Sequence, residues 1–198
     1  MKNKKVEWLV KVAMLSAVAT VLMLFEFPLP VVAPVFYKLD FSEVPVLIGA
    51  FAMGPLAGVA IEAVKILLNF MINGSITGGV GEFSNFVLGV VFVLPAALIY
   101  CKNRTRKNAF IGLAVGGITM VVLGCFINAF VMLPLYSSIM IPLEQILAMA
   151  AAIWPAIDTT LEFVILCVAP FNLIKAILVA VLTMILYKRL SPILKVKK

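Results

Sequence analysis

The chain has 198 residues, 64% of them hydrophobic and only 13% charged, and a mean hydropathy of +1.19, which excludes an ordinary soluble domain. With no histidine and only three isolated cysteines (Cys101, Cys125, Cys167), haem ligation, a zinc site, a disulfide framework and His- or Cys-based nucleophiles are also excluded. The net charge of +7 comes from Lys and Arg clustered at segment ends, without interleaved aromatics. It therefore reads as membrane topology and not as nucleic-acid binding.

The first apolar run, about residues 7–27, is long enough to cross ~30 Å of hydrocarbon. It follows Lys4 and Lys5 as a signal peptide would, but no small-x-small cleavage site follows it, so it reads as a retained span. Ala13 and Ala17, with Ser16, Ala19 and Thr20, form a strip of small residues that lets another helix approach closely. Residues 28–43 carry three prolines with Phe36, Tyr37, Lys38, Asp40 and Glu43. They cannot be helical throughout and are too apolar for a mere linker.

Residues 44–71 hold Gly54-Pro55 at their middle, where a helix would break. Reading a short hairpin pair there puts the basic loop Lys102 to Lys107 on the same side as Lys2, Lys4, Lys5, Lys11 and the tail residues Lys188, Arg189, Lys195, Lys197 and Lys198. That places 13 of the 16 basic residues inside, as the positive-inside rule requires. The expected fold is thus an all-α integral membrane protein of one domain, residues 1–198. Its six transmembrane helices fall at about 7–27, 44–53, 56–71, 83–100, 110–133 and 162–187, with a short second span and a long first extracellular loop. Both termini are cytoplasmic. A further helix within residues 141–150 is expected to lie at the outer surface. The Gly-rich stretch 74–81 lacks the Lys-Ser/Thr of a nucleotide-binding loop, so the chain cannot hydrolyse ATP by itself. The absence of an internal repeat counts against duplicated transporter halves.

Polar residues inside such spans are functional-site candidates, because an ionisable group at mid-membrane costs at least ~2.5 kcal/mol. Asn172 and Lys175 lie three apart on one face of the last span. Lys175 is some ten residues from either end, roughly 15 Å at the helical rise, farther than snorkelling covers comfortably. Snorkelling, or pairing with an acid that only holds helices together, is the alternative. Glu62 and Lys65 have the spacing of an intrahelical ion pair; Glu82 and Asn85 open the fourth span, and Asn128 lies toward the outer end of the fifth. Asn128, Asn172 and Lys175 would suit a neutral, hydrogen-bonding, largely aromatic ligand, with Phe126, Phe130, Phe171, Phe36 and Tyr37 as its apolar surroundings. The asparagines could equally be polar glue between helices.

Four segments carry a family likeness: Leu39-Asp40-Phe41-Ser42-Glu43-Val44-Pro45, Gly54-Pro55-Leu56-Ala57-Gly58, Ser84-Asn85-Phe86 and Pro170-Phe171-Asn172-Leu173-Ile174-Lys175. In this order the chain resembles the riboflavin-specific S components (RibU type) of energy-coupling factor transporters. The resemblance implies a bacterial plasma-membrane protein that binds riboflavin from outside under a lid formed by the first loop. It implies no catalytic residue, no metal and no cofactor apart from the transported ligand. Asn128, Asn172 and Lys175 match ligand-contacting positions, with Asn85, Phe171 and loop residues Leu39, Asp40 and Val46 beside them. Ala13 and Ala17 match the strip presented to the transmembrane coupling subunit, which works with two ATPase subunits. The rivals are an S component for another vitamin, a membrane enzyme pairing Glu62 or Asp158 with Lys175, and an assembly subunit.

Overall fold

A computed structural model describes residues 4–75, 77–139 and 141–194. Lys2, Lys195, Lys197 and Lys198 of the topology argument, and Ile76 of the glycine-rich stretch, lie outside the described residues. Helix α1 (Lys4–Leu24) buries Val12, Leu15, Ser16, Ala19, Thr20 and Met23, a three-and-four spacing that gives a single inward stripe. Ser16 and Thr20 return their hydroxyls to the carbonyls of Val12 and Ser16, each at 2.9 Å, so neither is left unsatisfied in an apolar setting. Ala13 and Ala17 face outward, exposed.

The chain then leaves the helix three residues earlier than expected, because Phe27–Pro28 (β1) pairs antiparallel with Lys38–Leu39 (β2), Phe27 opposite Leu39. This two-rung ladder closes the Pro-rich segment into a loop. Helix α2 (Glu43–Met53) buries every residue except Met53, held among α1, α3 (Pro55–Asn73), α4 (Val80–Lys102) and α9 (Ala169–Leu194). Gly54 ends it at φ 107°, a backbone that side chains rarely adopt, and Pro55 starts α3 at the first helical position, where its missing N–H is harmless. The expected break at Gly54-Pro55 is therefore real.

Helix α5 (Arg106–Ile127) runs through a π turn (Asn128–Met132) into α6 (Leu133–Ile139). After α7 (Leu143–Ala151), helix α8 (Thr160–Phe163) is started by a capping box between Thr159 and Glu162. It passes through a second π turn (Val164–Val168) into α9. Among the described residues, five stretches are long and apolar enough to cross a membrane: Lys4–Leu24, Pro55–Asn73, Val80–Lys102, Arg106–Ile139 and Thr160–Tyr187. At 11 residues, α2 spans only about 16 Å.

Among the described residues, two clusters form the core. One packs α2 against α1, α3, α4, α5 and α9; the other joins the loop to the π turns, α6 and α7. Glycine decides how closely α4 and α5 approach: a Cβ at Gly112 would stand 2.6 Å from the Ala96 carbonyl oxygen, and one at Gly116 would strike that of Phe92. The pair Gly112-x-x-x-Gly116 is a small-residue interface of the membrane kind. Gly112→Leu is expected to part these helices at about 1–3 kcal/mol, read as a lower unfolding midpoint in detergent. An unchanged midpoint would contradict this packing.

Candidate ligand-binding site

A cavity of about 550 Å³ opens between the end of α1, the loop, the end of α3, the start of α4, α5, α6 and α9, a size in the range of small-molecule sites. Its walls include Phe36 and Tyr37 of the loop, Asn69 and Asn73 of α3, Glu82 and Asn85 of α4, and Phe171, Asn172 and Lys175 of α9. The loop side thus presents Val35, Phe36 and Tyr37 with the charged Glu26 and Lys38, and the side opposite is rich in amides.

The partner of Lys175 lies in the loop. Its Nζ donates to Asp40 Oδ2 at 3.1 Å across 135 positions of sequence, and Asp40 Oδ1 accepts from the Ser42 backbone N–H at 2.7 Å. Burial pushes the Asp40 carboxyl up, but Lys175, Lys65 and the Ser42 bonds outweigh it and hold its pKa below the usual value. Asp40 is therefore an ionised anchor that ties the loop to α9. Glu62 and Lys65 pair as expected, at 2.7 Å, and the structure adds Glu43 of α2 at 3.0 Å from the same Nζ. All three are buried. Gly89 of α4 makes room for them, since a Cβ there would meet Glu62 Oε1 at 2.5 Å.

Asn172 and Lys175 both line the cavity, and Asn172 Nδ2 has no hydrogen-bond partner among the described residues. A buried amide without a partner calls for an acceptor, and a bound molecule is the natural source. Gly124 of α5 leaves the space this amide occupies, because a Cβ there would stand 2.7 Å from Nδ2. Asn128 sits at the first position of the π turn and is already engaged. Its Oδ1 accepts from Tyr37 at 2.7 Å and its Nδ2 donates to the Gly124 carbonyl at 2.8 Å. It does not line the cavity and lies behind Tyr37. Burial pushes the Tyr37 hydroxyl well above its ordinary pKa, so it remains a donor. The Tyr37 ring meets Phe171 edge-on at 5.6 Å and Phe163 at 6.1 Å.

Asn85 and Phe171 line the cavity as well. Leu39 is buried in the cluster behind the loop, and Val46 in the cluster around α2, so neither borders the cavity. Two expected aromatics are corrected. Phe126 and Phe130 meet one another at a tilt, ring centres 4.7 Å apart, but are 61% and 68% exposed and do not line the cavity. An acid–base pair with Lys175 finds no support either, since Glu62 is bound to Lys65 and Asp158 is exposed beside the α8 cap. Sequence reasoning missed Glu43 as the third charge of the cluster and Asn69 and Asn73 at the cavity rim. The latter pair had a signal, two amides at a four-residue spacing near a helix end, joined here at 3.1 Å.

Fold and site together define a helical membrane protein closed around a polar-walled, ligand-sized cavity. The family model described as ECF transporter, substrate-specific component, matches residues 7–187, and the chain belongs to this family. It is 37% identical over 191 residues to the riboflavin transporter FmnP of Bacillus subtilis (strain 168), covering 95% of this chain and 94% of that protein. It is also 37% identical over 195 residues to the riboflavin transporter RibU of Staphylococcus aureus (strain TCH60), covering 98% and 94%. A solved structure of the S component of a bacterial ECF transporter superposes with a TM-score of 0.75 at 34% identity, over 96% of this chain and 99% of that one.

Proposed function

We propose that this chain is the riboflavin-capturing subunit of an ECF importer in the bacterial plasma membrane. The observation that carries the reading is the partnerless amide of Asn172 beside Lys175 in the cavity, in a chain whose full-length relatives are named as riboflavin transporters. A flavin ring system is flat, apolar in body and edged with carbonyl and N–H groups, so Asn172 meets a ring carbonyl while Phe171, Phe36 and Tyr37 cover the faces. Asn85 and the amides at the end of α3 suit the hydroxylated side chain. Asn128 acts through Tyr37: movement of the loop frees its Oδ1 toward the ligand while its Nδ2 stays on the Gly124 carbonyl, and Leu39, Asp40 and Val46 set where the loop closes.

In this reading residues 1–198 form one domain of six spans, with α2 the short second one, both termini in the cytoplasm and the loop between β1 and β2 outside. The exposed strip of Ala13 and Ala17 receives the transmembrane coupling subunit, since small residues permit close packing without lasting polar bonds. Two partner ATPases hydrolyse ATP, and the chain itself does no chemistry. The test is quenching of riboflavin fluorescence by the purified chain. Saturable sub-micromolar binding is expected, weakened about tenfold by Asn172→Ala, or about 1.4 kcal/mol. Absence of quenching from a folded, monodisperse sample would reject the vitamin assignment.

A further inference from the structure

Among the described residues, the interior holds one carboxylate more than it has cations to match. Asp40, Glu43, Glu62, Lys65 and Lys175 are the buried charged residues among those described. Lys175 is taken by Asp40 at 3.1 Å, and the Ser42 N–H helps keep that carboxyl ionised. Lys65 alone remains for two carboxyl groups, Glu43 at 3.0 Å and Glu62 at 2.7 Å. Oε2 of Glu43 and both Oε1 and Oε2 of Glu62 have no hydrogen-bond partner among the described residues, so Glu62 meets Lys65 as an ion pair only.

Among the described residues, the neighbouring elements supply no further positive charge that is not already paired. From α1 comes Thr20, whose hydroxyl is directed at the carbonyls of Ser16 and Lys65. From α4 comes Gly89, which contributes only space. The loop brings the negative Asp40, and α9 the Lys175 already paired with it. An unmatched charge in such a place is disfavoured strongly enough that the group neutralises instead, and no group of three or more metal-binding side chains occurs among the described residues. A proton is the smallest cation that restores balance without displacing anything.

We propose that Glu43 and Glu62 form a proton-binding site, in which one proton is shared by the two carboxyl groups across Lys65 while the folded protein stands at neutral pH. The proton is taken from water as the bundle assembles and is carried chiefly by Glu62, neither of whose carboxyl oxygens has a hydrogen-bond partner among the described residues, so that one of them becomes an O–H. Lys65 then faces one carboxylate and one carboxylic acid. Glu43 opens α2 directly after Asp40 and Ser42, so the site stands at the root of the loop that covers the cavity.

The linkage has a definite sign. The folded chain holds one proton more than the unfolded chain from the ordinary carboxylate range up to the pH at which the site empties, so stability falls as pH rises across that window. The experiment is infrared spectroscopy of the full chain in lipid at neutral pH, in H₂O and D₂O. The expected result is a carboxylic-acid C=O band that shifts on deuteration, is lost in Glu62→Gln and persists in Asp40→Asn. The unfolding midpoint of the wild type should fall from pH 5 to pH 9 more steeply than that of Glu62→Gln. No carboxylic-acid band in the wild type, which requires no variant to fold, would overturn the proposal. So would a band that survives both Glu62→Gln and Glu43→Gln.

Discussion

Lys65→Met is expected to cost about 3–4 kcal/mol of stability at pH 7, the largest loss of any single substitution considered. Glu43 and Glu62 both lean on this one ammonium, at 3.0 and 2.7 Å, with side chains 1% and 0% exposed. Removing one partner of a buried ion cluster costs about 3–5 kcal/mol because the remaining charge has nowhere to go. The group escapes by taking a proton, and protonating a carboxyl of ordinary pKa about 4.3 at pH 7 costs about 3.7 kcal/mol, which sets the ceiling. The loss should therefore shrink to about 1 kcal/mol near pH 5. Unfolding midpoints of wild type and variant in detergent, measured at both pH values, check this. Equal losses at pH 5 and pH 7 would mean that packing, not charge, is at stake. The variant with Glu43→Gln, Glu62→Gln and Lys65→Met together should recover most of the stability, because an uncharged set leaves nothing to neutralise.

In the proposed riboflavin-capturing role, Lys175→Met is expected to weaken riboflavin binding by about a hundredfold, on the order of 3 kcal/mol. Two effects combine. Lys175 loses its contact with the cavity, and Asp40 is left 1% exposed without the cation that faces it at 3.1 Å. Truncating one partner of a buried charge pair typically costs 2–5 kcal/mol, much of it from the stranded partner. A double-mutant cycle with Asp40→Asn separates the two. If Lys175 serves only to anchor the loop, the double variant regains affinity toward that of Asp40→Asn. If it touches the flavin, affinity stays low while stability returns, and this is the expected result. A tenfold or smaller change in Lys175→Met alone would remove Lys175 from the binding machinery.

Part of the cavity's polar lining was legible along the chain because membrane solvation makes polar residues conspicuous. Asn172 and Lys175 stood out in an apolar run, and both line the cavity. Ion pairing of Glu62 with Lys65 was readable from a three-residue spacing, since helix geometry alone brings such side chains together. Aromatics carried no such mark. Phe126 and Phe171 are equally apolar in sequence, yet one faces outward at 61% exposure and the other is 4% exposed against Tyr37. A hydrophobic residue is at home in lipid and in the core alike, so hydropathy cannot tell them apart. The two π turns were also invisible, since each is a one-residue local adjustment of hydrogen bonding with no composition of its own.

By itself the sequence determined the membrane class, a mostly helical fold, the break at Gly54-Pro55 and the polar residues of α9. These follow from local causes: chain-length hydropathy, a glycine–proline stop and the cost of charge in hydrocarbon. Only the tertiary structure decided that Lys175 belongs to Asp40 across 135 positions, that Glu43 joins Glu62 on Lys65, and that Gly89 and Gly124 make room for Glu62 and Asn172. Those choices depend on which helix faces lie together, and distance along a chain carries no information about separation in space once helices pack.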